Sequence, residues 1–89
     1  MKMIIAIVPD SDADAVSQAL TQASLRVTRI ASTGGLWRRG NTTFLVGLED
    51  EEVPGALEKI KANCAPPEPG AESRRGVLFV LKVDDYIHL

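Results

Sequence analysis

The chain has 89 residues, 45% of them hydrophobic and 4% aromatic, which predicts one small domain with an aliphatic core. Its net charge of -2 argues against a general nucleic-acid-binding protein, so neither DNA nor RNA is an expected partner. One cysteine and one histidine exclude an intrachain disulfide, a cysteine-based cluster and a multi-histidine metal site. The apolar start is too short for a membrane span and lacks a signal-peptide layout. We therefore expect a single cytoplasmic domain over residues 1–89, without membrane insertion.

The first third of the chain predicts a strand, a helix and a second strand. Residues 2–8 are apolar on both faces, as in a strand at the centre of a sheet. A turn and helix start follow over residues 9–14, and the helix is expected to end near residue 24. Its candidate N-caps are Asp10, Ser11 and Asp12, and its apolar stripe is Val16, Ala19, Leu20 and Ala23. In the strand at residues 25–31, alternation places Leu25 and Val27 on one face and Arg26 and Thr28 on the other.

The rest of the chain repeats the pattern. Residues 42–48 predict a third strand, with Phe44, Val46 and Leu48 on one face. Residues 49–63 predict a helix with Pro54 in its first turn. Its apolar stripe is Val53, Leu57, Ile60 and Cys64. A proline-rich loop at residues 65–75, a last strand at 76–83 and a tail at 84–89 complete the chain.

The order β-α-β-β-α-β predicts a ferredoxin-like α+β fold. Right-handed crossovers place both helices on one face of an antiparallel sheet, with the first and third strands in the centre. The first and last strands are nevertheless apolar on both faces. The uncovered face would then expose an aliphatic patch, so we expect self-association with closed symmetry. These patterns do not separate a dimer from a trimer.

Residues 32–47 form the most distinctive segment, with four glycines, one asparagine and a basic pair beside the single tryptophan. Residues 15–48 contain no acid but four arginines, at positions 26, 29, 38 and 39, so positive potential concentrates there. This pattern suits an anionic small ligand. Trp37 would then stack on a base of that ligand. The alternative is a glycine-rich hairpin with solvated arginines and a tryptophan that packs against the domain or a second subunit.

Catalytic patterns are weak. Residues 35–42 nearly fit a phosphate-binding loop, but Asn41 replaces the lysine and a strand follows where a helix is required. His88 and Cys64 have no evident catalytic partner. A small ferredoxin-like enzyme such as an acylphosphatase would need an arginine-bearing turn after the first strand, and acids occupy that turn here.

Three stretches together resemble a known family: residues 1–8 (MKMIIAIV), residues 32–35 (STGG) with 38–47 (RRGNTTFLVG), and residues 79–84 (FVLKVD). They are similar to the cyclic-di-AMP receptors, which are PII-like signalling proteins of bacteria. The resemblance covers nearly the whole chain. It implies a homotrimer of ferredoxin-like subunits without catalytic activity or cofactor. Such a trimer binds cyclic-di-AMP in clefts between subunits and signals to a downstream protein, whose identity stays unknown.

The resemblance also implies the binding residues. Positions that match the family are Arg26, Thr28, Gly35, Asn41 and Gly47. Leu36 and Trp37 stand where the family has phenylalanine and leucine, His88 stands where it has a glutamine that helps to hold the ligand, and Ile87 replaces a histidine. The loop at residues 65–75 is much shorter than in typical members. These departures motivate a second hypothesis, a related sensor of ATP, ADP or another cyclic dinucleotide.

Overall fold

The computed structural model describes residues 1–30, 40–64 and 76–89. A four-stranded antiparallel sheet carries two helices in a ferredoxin-like α+β arrangement. The elements are β1 (Lys2–Pro9), α1 (Asp10–Gln22), β2 (Arg26–Ile30), β3 (Asn41–Leu48), α2 (Val53–Ala62) and β4 (Val77–Lys82). The strand order is β2-β3-β1-β4, which confirms that the first and third strands are central. The predicted loop at residues 65–75 lies outside the described residues.

One face of the sheet forms the core with the helices. In β1 and β3 every second side chain is buried, because successive residues of a strand point to opposite faces. The fully buried residues of the two strands include Ile4 and Val8 in β1, which lie beside Phe44 and Val46 in β3. Against them pack the buried residues of the helices: Ala13, Val16, Leu20, Ala56 and Ile60. We call this side the helix-covered face.

Two details of the helices correct the sequence-based expectations. The N-cap position of α1 is Pro9, and no side chain caps the helix, so the predicted caps at Asp10, Ser11 and Asp12 are wrong. The reason is that β1 passes directly into α1, which leaves no turn in which a cap residue would sit. A 3-10 turn at Asp50–Glu52 precedes α2, and Glu49 forms a capping box with Glu52. In α2 itself Ala56 is buried together with Ile60, and the sequence pattern did not single out Ala56.

The other face of the sheet has no helix. Residues directly opposite in an antiparallel pair share a face. The row that pairs Leu45, Ile5 and Phe79 therefore lies on the side away from the core. Large side chains are exposed around it, with Ile30 at 49%, Phe79 at 50% and Leu81 at 42% of their full accessible surface. The expected aliphatic patch is present, and we call this side the open face.

None of the helices among the described residues combines the length and the apolar composition that crossing a bilayer demands.

Candidate ligand-binding site

Strands β2 and β3 place four predicted binding residues on the open face. Arg26 lies directly opposite Gly47, and Thr28 is two pairs further along, opposite Leu45. Asn41 and Gly47 are an even number of residues apart in β3, so the side chain of Asn41 lies on the same face as Gly47. The topology therefore brings Gly47 beside Arg26 and Thr28, which the alternation of β2 had already placed on one face.

Asn41 lies at the other end of the same face. It pairs with Pro9, whereas Gly47 pairs with Met3. Asn41 and Gly47 are six residue steps apart along β3, which corresponds to about 20 Å at ~3.4 Å per residue. A ligand that touches Arg26 and Asn41 of one chain would have to extend along most of β3. Within one chain the predicted set therefore divides into an Arg26 end and an Asn41 end.

Arg26 is exposed at the edge of the sheet, and among the described residues it has one side-chain partner. Its Nη1 donates a hydrogen bond of 3.0 Å to the hydroxyl oxygen of Tyr86. Within residues 1–30, 40–64 and 76–89, no carboxylate lies within ion-pair distance of this guanidinium. Its positive charge is thus not neutralised by a neighbouring acid in that part of the chain. A guanidinium in this state can receive a phosphate group, for which its planar set of N–H donors is suited.

Gly47 provides close backbone access beside Arg26. A Cβ atom built on Gly47 would lie 3.3 Å from the terminal methyl carbon of Met1, which is tighter than ordinary van der Waals contact. A side chain here would therefore displace Met1 as well as cover the backbone next to Arg26. The glycine suits close approach of a ligand, and it also suits the packing of the first residue.

The Asn41 end is fixed by the junction between β1 and α1. The backbone N–H of Asp10 donates to the carbonyl of Gly40 at 2.7 Å. The Thr42 hydroxyl donates to Oδ1 of Asp10 at 2.5 Å, and Thr42 is only 2% exposed. Both chain neighbours of Asn41 are thus bonded to a single residue. Gly40 has a φ of +79°, a backbone conformation that glycine adopts without strain.

The C-terminal tail crosses the end of the sheet. The N–H of Val83 donates to the carbonyl of Met1 at 3.1 Å, which leads the chain from β4 past the start of β1. The tail then reaches β2 at the opposite edge through the bond between Tyr86 and Arg26. The ring of His88 stacks on that of Tyr86, with centroids 6.4 Å apart and an interplanar angle of 27°. His88 therefore lies near the Arg26 end, in contact with a tail residue of the same chain.

Three predicted residues, Gly35, Leu36 and Trp37, lie outside the described residues, as does the basic pair Arg38 and Arg39. Two contacts at the site were missed by sequence reasoning. Tyr86 is 60 positions from Arg26, so no local pattern signals their contact. Asp10 was interpreted as a helix cap, although its place at the end of a predicted strand was a signal for a contact with the neighbouring strand. Among residues 1–30, 40–64 and 76–89, no group of three histidine, cysteine or acidic side chains is arranged to hold a metal ion.

Comparison with known proteins decides the family. The family model described as cyclic-di-AMP receptor matches residues 1–69, about three quarters of the chain. The chain belongs to the cyclic-di-AMP receptor family. These receptors are nucleotide-binding, PII-like signalling proteins, which fits a small-molecule nucleotide as a partner of this chain. The matched region includes Arg26, Thr28, Asn41 and Gly47, whereas β4 and the tail with His88 lie beyond it.

A solved structure extends the likeness to nearly the whole chain. The crystal structure of a functionally unknown protein from Pediococcus pentosaceus ATCC 25745 is 35% identical to this chain, with a TM-score of 0.79. The match covers 99% of this chain and 96% of that protein. The fold therefore has an experimentally solved counterpart over nearly its full length, and that counterpart brings no assigned function with it.

Proposed function

We propose that this cyclic-di-AMP receptor family member binds cyclic-di-AMP on the open face without catalysing a reaction, and that it signals occupancy to a protein partner. The observation that carries the proposal is the Arg26 end of the face. There an arginine that lacks a carboxylate partner among the described residues lies next to Thr28 and opposite Gly47. Arg26 would hold a phosphate, Thr28 would meet a polar edge of the ligand, and Gly47 would allow close approach.

The same proposal places the ligand between subunits of a homotrimer. The open face presents Ile5, Leu45 and Phe79 in one continuous row across three strands, and apolar surface of this kind favours burial against another copy. Self-association would also overcome the distance between Arg26 and Asn41 within one chain. A cleft between copies can combine the Arg26 end of one subunit with the Asn41 end of another. Gly35, Leu36, Trp37 and His88 complete the proposed site.

A second candidate is a sensor of another nucleotide, such as ATP, ADP or a different cyclic dinucleotide. One observation favours it: the family match ends at residue 69, so the tail that contacts Arg26 lies outside the matched region. A change in the residues that close the site would alter which nucleotide fits, while the phosphate contact at Arg26 is retained. An acylphosphatase-like enzyme is disfavoured, since the first turn of α1 carries Asp10 and Asp12, which would repel a phosphate.

Isothermal titration calorimetry with cyclic-di-AMP, cyclic-di-GMP and ATP in parallel tests the proposal. We expect binding to cyclic-di-AMP alone, near one molecule per subunit, and a trimer mass by sedimentation. Asn41→Ala should weaken binding about tenfold while the oligomer persists, as expected for loss of hydrogen bonds to the ligand. Asn63→Ala is the matched control, because the Asn63 amide only donates to the carbonyl of Lys59 at the end of α2. Silence with all three nucleotides would reject the proposed function, and binding to ATP alone would select the second candidate.

A further inference from the structure

The bond between Tyr86 and Arg26 links the tail to the candidate phosphate site. The two residues are 60 positions apart, and both are exposed, with Tyr86 at 54% of its full accessible surface. Neither the family match nor the sequence pattern assigns Tyr86 a role, because the match ends before the tail begins. The contact therefore needs its own explanation.

The direction of this hydrogen bond determines what the pair can do. The guanidinium has only donors, so the tyrosine oxygen accepts from Nη1 of Arg26. The phenol keeps its own O–H proton for donation to a third group. A hydroxyl that accepts from a cation is polarised and becomes a better donor, since hydrogen bonds in a chain strengthen one another. Within the part of the chain that the structure describes, no other side chain takes the remaining N–H groups of Arg26, so these can meet a ligand.

We propose that Tyr86 is a binding residue of the nucleotide site, and that its hydroxyl donates to the same phosphate group that Arg26 holds. The proposal rests on the proposed function, because it concerns the anionic part of that ligand. Arg26 and Tyr86 together form a set of donors in which one charged group and one hydroxyl lie 3.0 Å apart. Such a set matches a phosphodiester, whose two non-bridging oxygens accept side by side and share one negative charge.

The stacking of His88 supports this role for the tail. Its ring lies 6.4 Å from that of Tyr86 at an interplanar angle of 27°. The stack limits rotation of the phenol, and the bond to Arg26 fixes its oxygen, so the orientation of Tyr86 is constrained at both ends. The upstream anchor of the tail, the bond from Val83 to Met1, places this arrangement beside the first residues of β1. His88 in this arrangement positions Tyr86, in addition to its own predicted place in the site.

Titration of the full-length chain with cyclic-di-AMP tests the proposal through a double-mutant cycle of Tyr86→Phe and Arg26→Gln. Tyr86→Phe removes only the hydroxyl, and we expect affinity to fall about fivefold to tenfold, the net size of one ordinary hydrogen bond at an accessible site. In the Arg26→Gln background the same change should have almost no effect, because the guanidinium that polarises the hydroxyl and fixes its oxygen is then absent. Thr21→Val is the matched control, since the hydroxyl of Thr21 donates to the carbonyl of Ser17 on α1.

Each outcome of the titrations either supports or overturns the assignment of Tyr86. A wild-type chain that binds cyclic-di-AMP, together with a loss that disappears in the Arg26→Gln background, supports the assignment of Tyr86. Unchanged affinity in Tyr86→Phe overturns it and leaves the proposed function intact. Tighter binding also overturns it, because the hydroxyl would then compete with the ligand for Arg26. Absence of binding by the wild-type chain rejects the proposed function itself, and the assignment of Tyr86 with it.

Discussion

The two faces of the sheet use the same strands for different purposes. On the helix-covered face, Ile4 and Phe44 are fully buried, and the helices supply the complementary apolar surface. On the open face, Phe79 stays 50% exposed, and Arg26, Thr28, Asn41 and Gly47 collect on the same side. Residues of the helix-covered face are therefore explained by packing within the chain. Residues of the open face require a partner outside the chain to explain them.

Two arginines of β2 show the same division. Arg29 lies on the opposite face of β2 from Arg26. Its Nη1 lies 2.9 Å from Oδ1 of Asp14 in α1. Its guanidinium carbon also lies 5.8 Å from the centre of the Phe44 ring, within the range of a cation–π contact. Arg29 thus ties β2 to the helix layer. Arg26 meets a hydroxyl instead of a carboxylate, and its charge remains available to a ligand.

The largest expected effect is on the helix-covered face. Phe44→Ala should lower the free energy of unfolding by about 3–5 kcal/mol, because it removes a fully buried aromatic ring and leaves a cavity. Denaturant unfolding followed by circular dichroism measures this loss. In a small domain with a total stability of about 5–15 kcal/mol, such a loss is a large fraction of the whole.

Phe79→Ala is the matched change on the open face. It should lower the stability of the isolated chain by about 1 kcal/mol, since half of the ring is already in contact with water. Its main effect should appear in the proposed oligomer, whose dissociation in sedimentation experiments should shift to higher protein concentration. Equal unfolding losses for Phe44→Ala and Phe79→Ala, without a change in association, would contradict the distinction between the faces.

The next effect concerns ligand binding. Arg26→Gln should weaken cyclic-di-AMP binding about tenfold to a hundredfold, because it removes a charge-assisted contact to phosphate. Its stability should change by less than about 0.5 kcal/mol, as expected for an exposed site. Arg29→Gln should do the reverse, with unchanged affinity and a small loss of stability. Calorimetry and denaturant unfolding of both variants test this contrast, and a similar loss of affinity in both would indicate a general effect of positive charge.

Much of the fold was predictable from the sequence because it depends on local periodicity. Alternation in residues 42–48 predicted the buried side of β3, and apolar residues on both faces of residues 2–8 predicted a central strand. The start of α1 was not predictable in this way. Asp10 has the residue type of a cap, and only the absence of a turn between β1 and α1 changes its role.

The candidate site was predictable in part. The phase of β2 correctly grouped Arg26 with Thr28, whereas the distance between Arg26 and Asn41 follows from the register of β3 with its neighbours. The bond between Tyr86 and Arg26 depends on the path of the tail across the end of the sheet, which no periodicity reports. Contacts between residues distant in sequence are therefore where the structure adds most.

The smallest expected effects on ligand binding separate two acids of α1. Asp10→Ala should lower stability by about 1–2 kcal/mol, because the Thr42 hydroxyl is buried and would lose its acceptor. It should also weaken ligand binding about threefold to tenfold, since the lost carboxylate holds Thr42, the chain neighbour of Asn41, whereas the backbone bond from Asp10 to Gly40 is kept. The measurements are denaturant unfolding and calorimetric titration with cyclic-di-AMP.

Asp14→Ala is the control for Asp10→Ala. The side chain of Asp14 is 95% exposed, and its pair with Arg29 should contribute about 0.5 kcal/mol or less. Ligand affinity should not change, because Asp14 contacts neither neighbour of Asn41. Asp10→Asn should recover much of the loss seen in Asp10→Ala, since the amide oxygen can still accept from Thr42. Equal affinity in the two alanine variants would show that the junction of β1 and α1 supports the fold alone, and Asn41 would then be positioned by other contacts.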